Sequence, residues 1–554
     1  MTTIPKTNIS GQALLNDSRF NKGSAFTSTE RELFNLTGLL PTRVETIEEQ
    51  CARCYQEFKR QPTLLDKNIY LTNILNQNEI LFYKLAYDHV TEMLPIIYTP
   101  VVSEAVEHFN HIFQRPRGLF LSYPERDSME EVLRRYDHAN IDIIIITDGE
   151  RILGIGDHGV GGISLCIGKL ALYTLCAGIH PSRTLPICID IGTNNKTLLN
   201  DPLYLGWRHE RLTGQKYDHF IDQCVITIKK IFPDVLLHWE DFGRDTARKH
   251  LDRYQNTMCT FNDDMQGTAA VAFSAIESAL QTIHQDITQQ CIVFFGAGTA
   301  ATGIADFIVK IMVKRGLSLE AAQARIWLLG RRGLLMQDMD NLMDFQKPYA
   351  KSKNAMAEWK LKNVSHVDLF EVVRHVKPTI LVGCSTVKGA FTETIIKTMV
   401  KYTPRPIILA LSNPHSKTEA TPHDLLNWTN GKALIATGSP FPDEIISGKK
   451  TPIAQCNNLF IFPGLGLGVI SVKAKRITHD MFAAASRTLT KHSPAQQDVY
   501  GSLLPDLTHI REICFDIAVA VAEQAIAEGV AFAPFAHRTD IKKAILANMW
   551  EPNY

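Results

Sequence analysis

The chain has no excess of charge of either sign: among its 554 residues, 58 Lys and Arg stand against 58 Asp and Glu. That leaves no basic field for nucleic acid or an acidic membrane, so the expected partners are small molecules or further copies of the chain. Long hydrophobic runs are lacking too. The most apolar short stretch, Ile143 to Ile146, is far too brief to span a bilayer, and no hydrophobic segment follows Met1. Disulfide patterning is also missing, because the eleven cysteines are scattered and mostly sit inside apolar stretches, as at Cys166, Cys176, Cys188, Cys291 and Cys384. Reduced, core-packed thiols in a soluble cytoplasmic protein are the expectation. Cys51 and Cys54 form a C-x-x-C with no second pair nearby, so neither a metal nor a redox role is read from it. Internal repeats and low-complexity segments are absent.

What is present is length enough for two to four domains with a sizeable core. Residues 1–117 read as a helical leading domain punctuated by Pro41, Pro62, Pro95, Pro100 and Pro116. Residues 118–265 change texture. Ile141 to Thr147, the Asp148-Gly149 turn signal and Arg151 to Ile155 together predict a hairpin, followed by a glycine-rich loop and a helix through Lys169. Strands at Leu185 to Ile191 and Val235 to Leu237 alternate with helices, as in a layered α/β domain. In residues 266–455, Cys291 to Phe295 predicts a buried strand that runs into Gly296-Ala297-Gly298-Thr299-Ala300-Ala301 and then a helix. With apolar strands at Ile326 to Leu329, Thr379 to Val382, Ile407 to Leu411 and Ala433 to Ala436, that predicts a Rossmann-type dinucleotide-binding sheet. Residues 456–554 read as a helical return to the earlier α/β domain.

Two carboxylate pairs carry the most chemical information: Glu240-Asp241 and Asp263-Asp264, each after a short apolar run. Like charges brought together at strand ends either take up a proton or surround a cation, and an all-oxygen set suits Mg²⁺ or Mn²⁺ better than zinc. The bland alternative is a surface pair, with Asp263 or Asp264 capping a helix from Gln266 to Leu280. Lys169 is the only charged residue between Ile163 and Ile179. Desolvation there should lower its pKa and make it usable as a base. Arg151, beside Ile152 and Leu153 on the expected hairpin strand, is suited to hold a carboxylate or phosphate bidentately, a solvated strand arginine being the alternative. Tyr98 on its own reads as a packing aromatic. Asn413 in Ser412-Asn413-Pro414, and Asn457-Asn458 before Phe460, lie beside strand ends, where open α/β sheets bind ligands; turn-forming asparagine is the alternative for each.

Taken together, these residues resemble the malic enzymes. The matching runs are YTP at Tyr98, TDGERILGIGD from Thr147 to Asp157, Gly168-Lys169, DIGTNN from Asp190 to Asn195, EDF at Glu240, FNDDMQGTAA from Phe261 to Ala270, GAG at Gly296, SNP at Ser412 and NNLFIFPG from Asn457 to Gly464. They occur in order over almost the whole chain. The resemblance implies a Rossmann domain inserted into a second α/β domain, a homodimer or homotetramer, and oxidative decarboxylation of L-malate with NAD. It also implies that Glu240, Asp241 and Asp264 hold Mn²⁺ or Mg²⁺, that Lys169 is the general base and Tyr98 the general acid, and that Asp263 assists the lysine. Arg151, Asn413 and one of Asn457 or Asn458 match residues that hold substrate and nicotinamide nucleotide, and Gly296, Ala297, Gly298 and Ala301 form the phosphate turn.

Two other readings compete. A malolactic enzyme would retain its cofactor and release lactate, and Arg151 favours a malic enzyme over it. A non-catalytic nucleotide sensor would be expected to have lost an acid or the lysine, and all are here. One departure stands out: Trp327-Leu328-Leu329 runs into Gly330-Arg331-Arg332, where NAD sites usually place an acid for the ribose hydroxyls. NADP is therefore possible beside NAD.

Overall fold

A computed structural model describes residues 7–554, apart from 137–139, 362–365, 447 and 533–536. The leading region is helical, with helices from Ile47–Arg60 through Phe109–Ile112. Two sheets follow. The first has the order β1-β3-β2-β4-β5, built from Leu119–Ser122 (β1), Ile143–Thr147 (β2), Thr184–Asp190 (β3), Leu236–Trp239 (β4) and Thr260–Asn262 (β5), all parallel. The second has the order β14-β11-β10-β9-β6-β7-β8. Its strands are Ile292–Phe295 (β6), Ile326–Gly330 (β7), Gly333–Leu334 (β8), Ile380–Gly383 (β9), Ile407–Ala410 (β10), Leu434–Thr437 (β11) and Ala454–Gln455 (β14), parallel except at the β7–β8 hairpin. Glu444–Ile446 (β12) and Lys449–Thr451 (β13) form a separate ribbon.

The expected hairpin at 141–155 does not form. β2 lies in the interior of the first sheet between β3 and β4, and residues 148–158 make a loop whose sole ladder contact is the bridge Ile152–Gly156. The reason is burial. Ile143, Ile144, Ile145 and Ile146 are all fully buried, Ile143 and Ile145 toward one core and Ile144 and Ile146 toward another. A strand apolar on both faces needs helices on both sides and neighbours at both edges, which a solvated hairpin lacks. Each such side chain contributes roughly 1.5–3 kcal/mol relative to exposure.

Helix Ile163–Ala177 fills one side of that sheet. The stretch Gly159–Ala177 is long and apolar enough to cross a membrane, a feature that scanning for short apolar runs overlooks, but 89% of its apolar window is buried inside the protein. It is the core helix of an α/β layer. After β14 the chain returns: helix Phe462–Ser471 packs on Ile163–Ala177 and on Ile510–Ala527, while His479–Lys491 packs on Thr268–Thr282. The chain thus crosses between the sheets twice, outward at residues 263–268 and back at 456–458.

Candidate active site

The carboxyl ends of both sheets open onto one cleft of about 390 Å³. Tyr98, Arg151, Lys169, Glu240, Asp241, Asp264, Asn413, Asn457 and Asn458 all line it, and Asp263 lies directly beneath. In open parallel sheets, strand ends are where loops diverge and leave room for a ligand.

At its centre, the Lys169 ammonium donates to Glu240 Oε2 and, at 2.6 Å, to Asp263 Oδ2. All three side chains are buried. Asp263 is fixed from the return crossing as well, because Asn458 Nδ2 donates to its carbonyl at 3.1 Å and to its Oδ2 at 3.0 Å. The turn Asp263–Gly267 is a single π-turn, capped by the Asn262 side chain accepting from Met265 N–H. Neither aspartate is the cap. Gly267 is required there, since a Cβ on it would fall 1.9 Å from Asp263 Oδ1. The predicted helix begins after this turn, at Thr268.

Two acid groups among the described residues have cation-binding spacing, each with ligand atoms within 4.8 Å of one another: His238, Glu240 and Asp263, and Glu240, Asp241 and Asp264. The first is already engaged by Lys169, and His238 also meets Tyr173 OH at 3.0 Å. Burial, with Lys169 nearby, pushes His238 down to about 3, so its ring is neutral. The second group is all oxygen and borders the cleft. Burial and then the neighbouring acids and lysine set its protonation: Glu240 and Asp264 are each raised to about 7, and Asp241 is raised well above the carboxylate range by burial and by Asp264. A site that holds its carboxylates back from ionising at neutral pH is one that a hard divalent cation relieves, so this donor set fits Mn²⁺ or Mg²⁺. Asp241 Oδ2 already accepts from Leu153 N–H at 2.7 Å, and its own N–H donates to Asp264 Oδ2 at 2.8 Å.

Lys169 departs from the expectation of a lowered pKa. Burial does pull the ammonium down, but Asp263 and Glu240 outweigh it, and the group is held well above its ordinary range. Its Nζ lies 6.0 Å from the Tyr98 ring centroid and 5.3 Å from that of Phe462. Tyr98 is buried, which raises its phenol well above the usual value. Arg151 is exposed to the cleft, and no hydrogen bond or ion pair engages its guanidinium among the described residues.

On the nucleotide side, Gly296 has φ +123°, and a Cβ there would meet Cys384 O at 2.4 Å. Gly298 precedes helix Thr299–Lys314, Ala301 is fully buried within it, and the Ala297 carbonyl accepts from Gln346 Nε2 at 2.7 Å. Asn413 Oδ1 accepts from Ser439 Oγ at 2.6 Å, and Asn457 Oδ1 caps the turn Asn458–Phe460. Of the two adjacent asparagines, only Asn458 bonds to Asp263. Reading the sequence missed His238, though its place beside Glu240 in an apolar strand was a usable signal. It also missed Gln346, which nothing local marks.

Residues 75–255 match the family described as malic enzyme, N-terminal domain, and residues 265–526 match malic enzyme, NAD binding domain. A protein of Edwardsiella ictaluri named NAD-dependent malic enzyme is 48% identical over 98% of this chain and 96% of its own length. One of Photorhabdus laumondii with the same name is 49% identical over the same shares. Among solved structures, an Entamoeba histolytica malic enzyme superposes with a TM-score of 0.57 at 21% identity, covering 94% of this chain and 91% of that one. A Pyrococcus horikoshii malic enzyme gives 0.55 at 22% identity, covering 83% and 89%. The two solved structures attest the shared fold. Full-length identity near one half carries more: this chain belongs to the malic enzyme family.

Proposed function

We propose that the protein oxidatively decarboxylates L-malate to pyruvate and CO₂ with reduction of NAD, using Mn²⁺ or Mg²⁺. The observation that carries this reading is the sharing of Glu240 between Lys169 and the acid cluster, which sets a base and a cation site side by side in one cleft. The name carried by the relatives, NAD-dependent malic enzyme, agrees with it. Balanced charge and the family resemblance support a cytoplasmic homodimer or homotetramer acting on small molecules, without a nucleic acid or membrane partner.

When bound, the divalent cation supplies Lewis-acid polarisation of the substrate oxygens, and NAD is the hydride acceptor. Arg151, free in the cleft, holds a malate carboxylate. Lys169 takes the proton from the C2 hydroxyl. A cation held by Glu240 would weaken only the second of the two anionic influences on Lys169, leaving Asp263, the larger one, as the partner that exchanges the lysine proton. Asp263, fixed by Asn458, shares the lysine proton. Tyr98, kept protonated by burial, returns a proton to C3 after CO₂ leaves. Asn413 and Asn457, with Asn458 beside them, border substrate and nicotinamide, and the turn Gly296 to Ala301 takes the pyrophosphate at a helix N-terminus. The test is a malate assay with Mn²⁺ and NAD. Pyruvate and NADH should accumulate one for one, and lactate without net NADH would reverse the choice in favour of a malolactic enzyme.

Cofactor choice should be modestly selective. β7 ends at Gly330, where no carboxylate meets the ribose hydroxyls or repels a 2′-phosphate, and the exposed Arg331 and Arg332 follow. NAD remains the first choice, with NADP accepted. A Cβ at Gly330 would touch only Leu335 Cδ2 at 3.6 Å and Ala297 Cβ at 3.7 Å, so Gly330→Asp fits. One charged hydrogen bond is worth about 1.5–3 kcal/mol, so this variant should move the ratio of kcat/KM for NAD over NADP up by about tenfold or more. An unchanged ratio means that the loop does not face the adenosine ribose.

A further inference from the structure

We propose that Arg211 is a positioning residue for the substrate arm, holding the loop 148–158 so that Arg151 and the Leu153 N–H stay in register with the cation ligand Asp241. This rests on the functional reading above, which makes Arg151 the carboxylate contact. The loop touches the acid cluster in two places: Leu153 N–H donates to Asp241 Oδ2 at 2.7 Å and Arg151 N–H to the Asp241 carbonyl at 3.3 Å. Along its own length it has one isolated bridge and the turn bonds Ile155 N–H to Ile152 O and His158 N–H to Gly149 O, with left-handed backbone at Gly149, Leu153, Gly154 and Gly156.

At its base Thr193 Oγ1, the Asn194 N–H and Asn195 Nδ2 hold Asp157, and one buried guanidinium joins that end to the other. Arg211 Nη1 donates to the Asp148 carbonyl at 2.9 Å, at one end of the loop. Its Nε and Nη2 donate to Asp157 Oδ2 and Oδ1 at 3.0 and 2.8 Å, at the other. The Asp148 carboxylate lies 3.7 Å away and is itself held by Tyr217 OH at 3.0 Å. The Arg211 side chain is 3% exposed and that of Asp148 fully buried, so this is a desolvated three-point clamp. Arg211 does not line the cleft, and its action on substrate passes through the loop. Only the planar fork of arginine reaches both ends at once; a lysine supplies one point charge.

The test is a double-mutant cycle on the full-length enzyme with Mn²⁺ and NAD. Arg211→Met should raise KM for malate by about tenfold or more while KM for NAD stays within about twofold. Arg211→Lys should recover part of the loss, and Asp157→Asn should reproduce it. In an Arg151→Ala background, Arg211→Met should raise KM for malate clearly less than it does alone, because of the two contacts it positions only the Leu153 N–H remains. A merely structural role predicts the opposite, a full additional loss together with weakened NADH binding. Unchanged KM for malate in Arg211→Met, or full additivity with Arg151→Ala, overturns the inference. Should Arg211→Met not fold, Arg211→Lys and Asp157→Asn decide it by the same cycle. Failure of the unaltered protein to convert malate would instead remove the functional reading itself.

Discussion

Replacing Lys169 by alanine should lower kcat by at least about a hundredfold, the usual scale of losing a positioned general base, while NADH still binds with its normal affinity. Lys169 lies at the middle of a buried helix and touches Glu240 and Asp263 but no part of the Gly296 to Ala301 turn, so the nucleotide subsite has no reason to change. The alanine leaves two buried acids without their cation, so stability should fall too, and the rate must be measured on protein shown to be folded. Lys169→Arg is the sharper control. It keeps a positive charge on Glu240 and Asp263 but holds its proton at any working pH. A folded, inactive arginine variant assigns the loss to proton transfer, whereas normal turnover by either variant would make the lysine structural.

Asp264→Asn or Glu240→Gln should abolish turnover with a comparable or larger effect, because each removes an anionic ligand and weakens both the hold on the cation and the polarisation it provides. The pH behaviour adds a second readout. Glu240 and Asp264 are raised to about 7 from ordinary values of 4.5 and 3.8. Stability from these raised acids is fully present below their ordinary values and is lost as pH rises through about 7. Chelator-treated protein should therefore lose thermal stability over that window, and Mn²⁺ should restore it above pH 7. Binding below about pH 7 must expel protons, so apparent affinity should drop there, with proton release visible by calorimetry in buffers of different ionisation enthalpy. Full turnover by either variant in chelator-treated buffer removes the metal assignment.

The order of motifs along the chain makes much of this architecture legible in the sequence alone. β6 and its glycine turn were readable because a buried strand running into G-x-G and a helix has few other uses, and the strands at 326–330, 380–383, 407–410 and 434–437 fell within about a residue of their predicted places. The hairpin at 141–155 was misread for a physical reason: Asp148-Gly149 is a strong local turn signal, but local signals carry no information about the two neighbours that enclose β2. The Lys169 error has the same source. Apolar neighbours in sequence reveal desolvation, while the anions that outweigh it come from 71 and 94 residues away. Arg211, which clamps residues 54 and 63 positions earlier, lies beyond what spacing can show.

The two crossings between the sheets are bonded to each other: Asn458, on the return, holds Asp263 and Thr268, on the outward path. Asp263 is thus held from both crossings at once and from Lys169 on the core helix of the first sheet. The proton-sharing pair sits at the junction that ties the two sheets together, whereas Asn413 and Ser439 lie on the nucleotide-side rim of the same cleft. Were the sheets to turn about this junction, the rim would travel further than the pair, because hinge motion concentrates displacement away from its axis.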